Sequence, residues 1–342
     1  MKLGLGLGYL GAGFAANGLE LAREADRLGY DVCWAAESHG SDAATVLAWV
    51  AARTEQIGIG SSVFQIPGRS PAMTAMTAVT LDTLSGGRFR LGLGVSGPRV
   101  SEGWHGVPWA KPLGRTRAYV SIVRTALRQE PLPYNGKPLR LSLRPVQQRI
   151  PVYLAAIGPR SLALAGEIAD GWLASFFSPE HAGILFADIE AGRARRPAMT
   201  DSGADPAPDS FDVVAMTPLV VGDDVAACAD AVRWYAAVYL GGMGGADSNY
   251  YNQLACRMGF ATAAEVQRRY LAGDLSGAAA AVPAEFIDAT SLLGPVPRIA
   301  ARMNEFAAAG VTTLTVSPFG GSAAQRKAML TAALTAKRLA GL

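Results

Sequence analysis

Short apolar runs alternate with longer segments of helical period along the whole chain, and this rhythm restricts the fold more than any other feature. Strands are predicted over residues 2–8, 31–36, 57–63, 89–95, 151–156, 171–175, 211–220 and 312–317. Helical patterns fill 17–28, 42–54, 71–84, 114–129, the stretch from 159, 223–239, 296–309 and 323–339. Strand–helix repetition of this kind builds parallel sheets, and no linker separates two halves. The expectation is an α/β chain whose residues 1–342 close into a single (β/α)8 barrel (a TIM barrel). Two segments break the rhythm. Asn135-Gly136 lies between short runs in 130–150, which predicts a short β-ribbon excursion before strand 5. Residues 241–289 carry no strand signal and predict a helical insertion after strand and helix 7. Residues 197–209, dense in Pro, Ala, Ser and Asp, read as a surface loop.

Half of the 342 residues are hydrophobic and 17% are charged, enough apolar material for one large core. A net charge of +3 without a block of like charges argues against a nucleic-acid partner. Cys33, Cys228 and Cys256 are odd in number and widely spaced, which indicates neither a disulfide framework nor a metal site and fits a reducing, cytoplasmic setting. The apolar N-terminus imitates a signal peptide, but its Leu/Gly alternation reads as a first strand. No uninterrupted apolar run reaches the ~18 residues of a membrane span. The partner expected is therefore a small-molecule substrate.

In such a barrel the chemistry sits just past the C-terminal ends of the strands. Glu37, Ser38 and His39 follow strand 2, and Glu37 and His39 are the candidate proton-handling residues. After strand 3 come Ser61, Ser62, Val63 and Gln65, whose hydroxyls could meet a heteroaromatic edge. The loop 96–105 combines Ser96, Gly97, Arg99, Glu102, Trp104 and His105, a composition suited to a ligand wall. Gly158, Pro159 and Arg160 open a helix after strand 5, the arrangement that holds a phosphate at a helix N-terminus. Two G-x-G-x-x-G matches, 6–11 and 92–97, raise dinucleotide binding. No helix of suitable pattern begins at Gly11 or Gly97, so glycine there, Gly8 included, reads as room for a flat ring or phosphate.

The segments Gly29-Tyr-Asp-Val-Cys-Trp34-Ala-Ala-Glu37, Leu81-Asp-Thr-Leu-Ser-Gly-Gly-Arg88-Phe-Arg-Leu-Gly-Leu-Gly94 and Ala165-Gly-Glu-Ile-Ala-Asp170-Gly-Trp172-Leu together resemble the luciferase-like monooxygenase superfamily. The 96–105 loop followed by Pro108-Trp-Ala-Lys-Pro-Leu-Gly-Arg115 is similar to its branch of coenzyme F420-dependent oxidoreductases, which includes methylenetetrahydromethanopterin reductases. The specific motifs cover residues 1 to about 175, and 241–289 matches none of them. The resemblance implies a deazaflavin at the mouth, backed by a bulge with a non-proline cis peptide at Ser62–Val63. It further implies that Gly97, Glu102, Gly158, Pro159 and Arg160 hold the phosphate tail, with Arg99 and Lys111 near its oligoglutamate extension. His39 matches the position of a catalytic histidine, and Glu37 remains its rival.

The implied reaction moves a hydride between the reduced deazaflavin and an electron-poor C=C, C=N or C=O of a small organic substrate. That substrate would lie under the insertion, beside Tyr250 and Tyr251. An FMN-dependent monooxygenase and a non-catalytic flavin-binding protein are the alternatives. A homodimer is the family-level expectation.

Overall fold

Leucine and glycine alternate through the first strand, β1 (Lys2–Gly6), and the two-residue period sends them to opposite faces. Leu3 and Leu5 are buried against the surrounding helices. Gly4 and Gly6 look inward, where an added Cβ would collide with Thr315 and Ser317. The computed structural model, which describes residues 1–8, 17–132, 139–196, 211–245 and 249–342, repeats this parity around a ring. β2 (Val32–Ala35), β3 (Gly58–Ser61), β5 (Phe89–Gly94), β6 (Val152–Ala155), β7 (Gly171–Ser175), β8 (Asp212–Val221) and β10 (Thr313–Pro318) follow in parallel. β10 pairs with both β1 and β8, which closes the eight strands into a barrel. β4 (Phe64–Gln65) continues the line of β3 along β5, beyond a cis peptide at Ser62–Val63.

An outer layer of helices covers the barrel: α1 (Gly18–Leu28), α2 (Ala43–Ala51), α3 (Pro71–Leu84), α5 (Pro112–Leu127), α6 (Pro159–Ile168), α7 (Ala182–Arg193), α13 (Val296–Ala308) and α14 (Ala323–Leu339). Their ends are set by local chemistry. The Asp42 and Ser70 side chains accept N–H groups of the first turns of α2 and α3. Ser322 and Gln325 form a reciprocal capping box on α14. Gly29, at φ 78°, takes the left-handed position that ends α1.

Inside the ring, bulky residues face glycines. The Trp34 and Tyr153 rings meet edge to face at 5.4 Å, and they occupy the space left by Gly60 and Gly171, where any Cβ would strike them. The flat groups that these inward glycines admit are thus the protein's own side chains. At the N-terminal end, Asp212 accepts the Tyr153 hydroxyl at 2.9 Å and the Thr313 hydroxyl at 2.8 Å. Burial first, then the Asp212 charge, push the Tyr153 phenol up and keep it protonated.

The segments that carried the family resemblance supply much of this framework. Arg88 donates to the carbonyls of Ser85 at 2.6 Å and Thr54 at 3.0 Å, and also to that of Ile57. Buried Asp82 accepts the N–H groups of Val146 and Gln147. Asp170 accepts the Val152 N–H at 2.8 Å and pairs with Arg124 and Arg149.

The structure bears on three expectations. The described residues of 130–150 form no strand, while the turn expected for the β-ribbon lies outside them; the Leu132 N–H donates to the Leu139 carbonyl at 3.3 Å. Prolines 131 and 145 lack donors, and the N–H groups after Pro145 bond to Asp82 rather than to a ladder. Asn135-Gly136, residues 197–209 and Gly11 lie outside the described residues. Secondly, a short helix, α4 (Pro98–Gly103), does begin directly after Gly97, with Pro98 at its first position.

Thirdly, the helical excursion packs against the helix that precedes it. α8 (Val225–Ala237) packs against α10 (Ala263–Leu271), α11 (Leu275–Ala280) and α12 (Ala284–Ala289). It also packs on β8 and β9, so it joins the barrel to the insertion that includes α9 (Tyr250–Arg257), while α13 packs on α14 as a barrel helix. The whole group lies between β8 and β9 (Leu292–Gly294), a short strand added beside the C-terminal end of β8.

Candidate active site

The inward-facing residues sort into closed and open layers. Trp34, Leu173, Val214 and Thr315 are fully buried. One step toward the C-terminal ends, Ala36, Val63, Ala155, Ser175, Met216 and Ser317 are only half-buried. They wall an uncharged well at the mouth, with the first group as its floor. Two polar atoms at that floor, Trp34 Nε1 and Thr315 Oγ1, have no hydrogen-bond partner among the described residues. Unpaired buried donors are uncommon in folded chains.

On the β2–β6 side of the well the loops form one polar network. Glu37 accepts the Gln65 N–H at 2.9 Å and the Ala43 N–H at 3.1 Å, and it pairs with Arg69. Arg69 also pairs with Asp42 and lies 4.6 Å over the Phe64 ring. Burial of Asp42 opposes its charge, but bonds from Thr45 and the Arg69 cation prevail and hold the carboxyl below its ordinary range. Gln65 donates to the Ser38 carbonyl at 2.6 Å, and its Oε1 is 3.1 Å from His105 Nε2. His39 is exposed, shares a 3.2 Å hydrogen bond with Ser38 and meets the Trp104 ring edge to face.

The candidate residues from the sequence are therefore brought to one rim, with different surroundings. Glu37 and Gln65 are engaged by protein partners, whereas His39 and Trp104 stand at the surface. The Ser61 hydroxyl is spent on β5, donating to the Gly92 carbonyl at 2.8 Å and accepting its N–H at 2.9 Å. Val63 packs over Gly94 at the wall of the well. Gly8 accepts the Ala36 N–H at 3.3 Å. Ser96 adopts φ 63°, left-handed for a residue with a side chain. Gly97 caps α4, and Glu102 accepts the Trp109 N–H at 2.9 Å. Gly158 leads into α6 without a side-chain cap, with Pro159 and Arg160 exposed beside it. Arg99, Lys111 and Arg160 have no ion-pair partner among the described residues. No cluster of three His, Cys, Asp or Glu side chains among those residues is placed to hold a metal ion.

Sequence reasoning missed Arg69, whose partners lie 27 and 32 positions away with no local signal. It also missed Phe176, Tyr235, Tyr239 and Phe319, which gather on the β7–β10 side. Tyr251 joins them, while Tyr250 is 37% exposed.

This geometry has close relatives. A protein of Mycobacterium tuberculosis, provisionally named a coenzyme F420-dependent oxidoreductase, is 40% identical across 95% of this chain and 96% of its own length. A 5,10-methylenetetrahydromethanopterin reductase of Archaeoglobus fulgidus is 30% identical over 86% of this chain and 88% of its own. The solved coenzyme F420-dependent tetrahydromethanopterin reductase of Methanopyrus kandleri superposes with a TM-score of 0.76 at 24% identity, covering 97% of both chains, and so shares the barrel fold. The family model described as luciferase-like monooxygenase matches residues 6–313. Matched over most of its length, the chain belongs to the luciferase-like monooxygenase family.

Proposed function

We propose that this protein is an oxidoreductase that transfers a hydride between reduced coenzyme F420 and a small organic substrate bearing an electron-poor C=C, C=N or C=O. The observation that carries this reading is the uncharged well flanked by unpaired cations on one side, in a chain 40% identical to an F420-named relative. The residues present fit such a coenzyme. A flat ring suits the small half-buried walls Ala36, Val63 and Ala155. An anionic tail suits the uncapped N-terminus of α6 with Arg160, and Arg99 and Lys111 nearby. When bound, the coenzyme supplies the two-electron hydride chemistry.

The chain's own residues orient the reactants and handle one proton. His39, exposed at the rim and steadied by Ser38 and Trp104, is assigned the proton transfer. Glu37 is assigned a positioning role, since its oxygens hold Arg69, Gln65 and Ala43. Ser96, Gly97, Glu102, Gly158 and Pro159 shape the loops on the tail side.

Titration of the purified protein with F420 and with FMN tests the reading. Tight F420 binding and hydride transfer to an enone or carbonyl panel are expected. Tight FMN binding with none of F420 would replace the reading by an FMN-dependent monooxygenase.

The same proposal includes a homodimer. α2 and α3 present Trp49, Met73, Met76 and Leu84, each about half exposed, and the one charged residue in the two helices, Asp82, is buried. A bare apolar face of this kind fits a second copy of the chain. Met73→Glu with Met76→Glu should yield monomers in sedimentation. Three unpaired cysteines fit the cytoplasm, and no helix among the described residues is long and apolar enough to cross a membrane.

A further inference from the structure

Strand parity fails at one point of the mouth. Trp172 and Phe177 both contact Phe186 of α7, outside the barrel wall. Strict alternation from inward Leu173 would aim residue 177 inward. The break is Phe176, whose φ of 52° is left-handed, a conformation that bulky side chains seldom adopt. Such an outlier at a strand end points to a function that maintains it. Its ring lies 5.6 Å from Tyr235, 5.4 Å from Tyr239, 6.0 Å from Tyr251 and 5.4 Å from Phe286. Tyr235 in turn meets Phe319, past the end of β10, at 4.9 Å. The three tyrosines are only half-buried and form the open surface of a wall, while the Phe176, Phe286 and Phe319 rings behind them are buried.

This wall reaches across the well. Tyr239 itself sits in a π-helical turn, Val238–Gly242, a feature frequent at functional sites. The Met243 carbonyl then comes to 3.8 Å from where a Cβ on Gly97 would lie, on the loop after β5. Among the described residues the wall carries no free cation. Arg233, Arg257, Arg268, Arg269, Arg298 and Arg302 all have carboxylate partners. Arg99, Lys111 and Arg160, unpaired among the described residues, belong instead to the segments after β5 and β6.

We propose that the Tyr239–Tyr251 wall, backed by the buried Phe176 ring, is the acceptor subsite and selects an uncharged, planar, apolar substrate, such as a cyclic enone or an aromatic enal, over phosphorylated or carboxylated analogues. The proposal rests on the hydride-transfer reading of the same well. The acceptor gains a hydride at its electron-poor carbon, the π pair moves to the neighbouring atom, and a proton completes the reduction. The coenzyme is oxidised by two electrons. Ring faces reward a flat apolar partner, and a carboxylate brought here finds no counter-charge.

Matched pairs decide it: 2-cyclohexenone against its 4-carboxylate, and cinnamaldehyde against 4-carboxycinnamaldehyde, with coenzyme binding measured separately by fluorescence. The neutral member should show kcat/KM at least about 10-fold higher, and Tyr239→Arg should shift the ratio toward the carboxylate, mainly through KM. Equal or better turnover of the charged members overturns the inference. So does tight coenzyme binding without turnover of any neutral member, which leaves the coenzyme reading standing. If F420 does not bind, the pairs are run with reduced FMN and oxygen, and the same ratio judges the wall independently. Should Tyr239→Arg not fold, the wild-type ratio alone decides.

Discussion

The loops after β2, β3 and β5 meet one another through charge and directed hydrogen bonds, whereas those after β7, β8 and β10 meet mainly by ring packing, with ion pairs such as Glu180–Arg302 at its margin. Directed bonds fix atoms within a few tenths of an ångström and suit a ligand with a set shape. Ring contacts are less directional and tolerate changes in the partner they face. The proposed assignment of the invariable ligand to the polar half and of the variable one to the aromatic half follows this difference.

The largest effect should come from removing the centre of the polar network. Glu37→Ala leaves Arg69, 15% exposed, facing only Asp42 and strands two N–H groups. Urea unfolding should register a loss of about 3–5 kcal/mol, and coenzyme affinity should fall with it. Glu37→Gln should recover part of both, because an amide oxygen still accepts. A loss under about 1 kcal/mol would mean that charge does not hold this half.

Phe176→Ala should cost about 3 kcal/mol, toward the low end for a buried ring, and it should raise the acceptor KM while leaving coenzyme affinity in place. If both substitutions weaken the coenzyme equally, the division of the mouth is broken.

Acid should loosen each half through its own carboxylate. A hydrogen bond from Arg302 takes Glu180 from an ordinary 4.5 down to about 2, against the opposing effect of burial. Its contribution is complete above about 4.5 and disappears as pH falls toward 2. Asp42, also depressed, acts in the same direction below its ordinary 3.8. Denaturation midpoints measured from pH 5 to 2 should drop, and Glu180→Gln should flatten part of that slope. Smallest of all, Ser96→Gly relieves a left-handed residue and should stabilise by at most about 1 kcal/mol, while coenzyme affinity declines.

Much of the scaffold can be read from local pattern. Alternating Leu and Gly in residues 3–6 disclose which face of β1 looks inward, and the rim position of Glu37 and His39 follows from the end of strand 2. The function of Glu37 is not local. Its positioning by Arg69 requires the loop after β4 to fold back over the start of α2. The aromatic wall was equally hidden, since Phe176, Tyr239, Phe286 and Phe319 belong to four separate stretches of chain. Equally non-local is the support of residues 146 and 147, whose N–H groups bond to Asp82, more than sixty positions away.

By itself the sequence determined the succession of strands and helices, the end of the barrel that carries polar loops, and the motifs of the family. Periods of 2 and 3.6 residues are properties of neighbours along the chain, so they survive without any tertiary information. Tertiary structure alone decided which charges neutralise one another, which glycines admit Trp34 and Tyr153, and which rings gather after β7, β8 and β10. Those outcomes depend on distances between residues remote in sequence, and only closure of β10 onto β1 and β8 sets them.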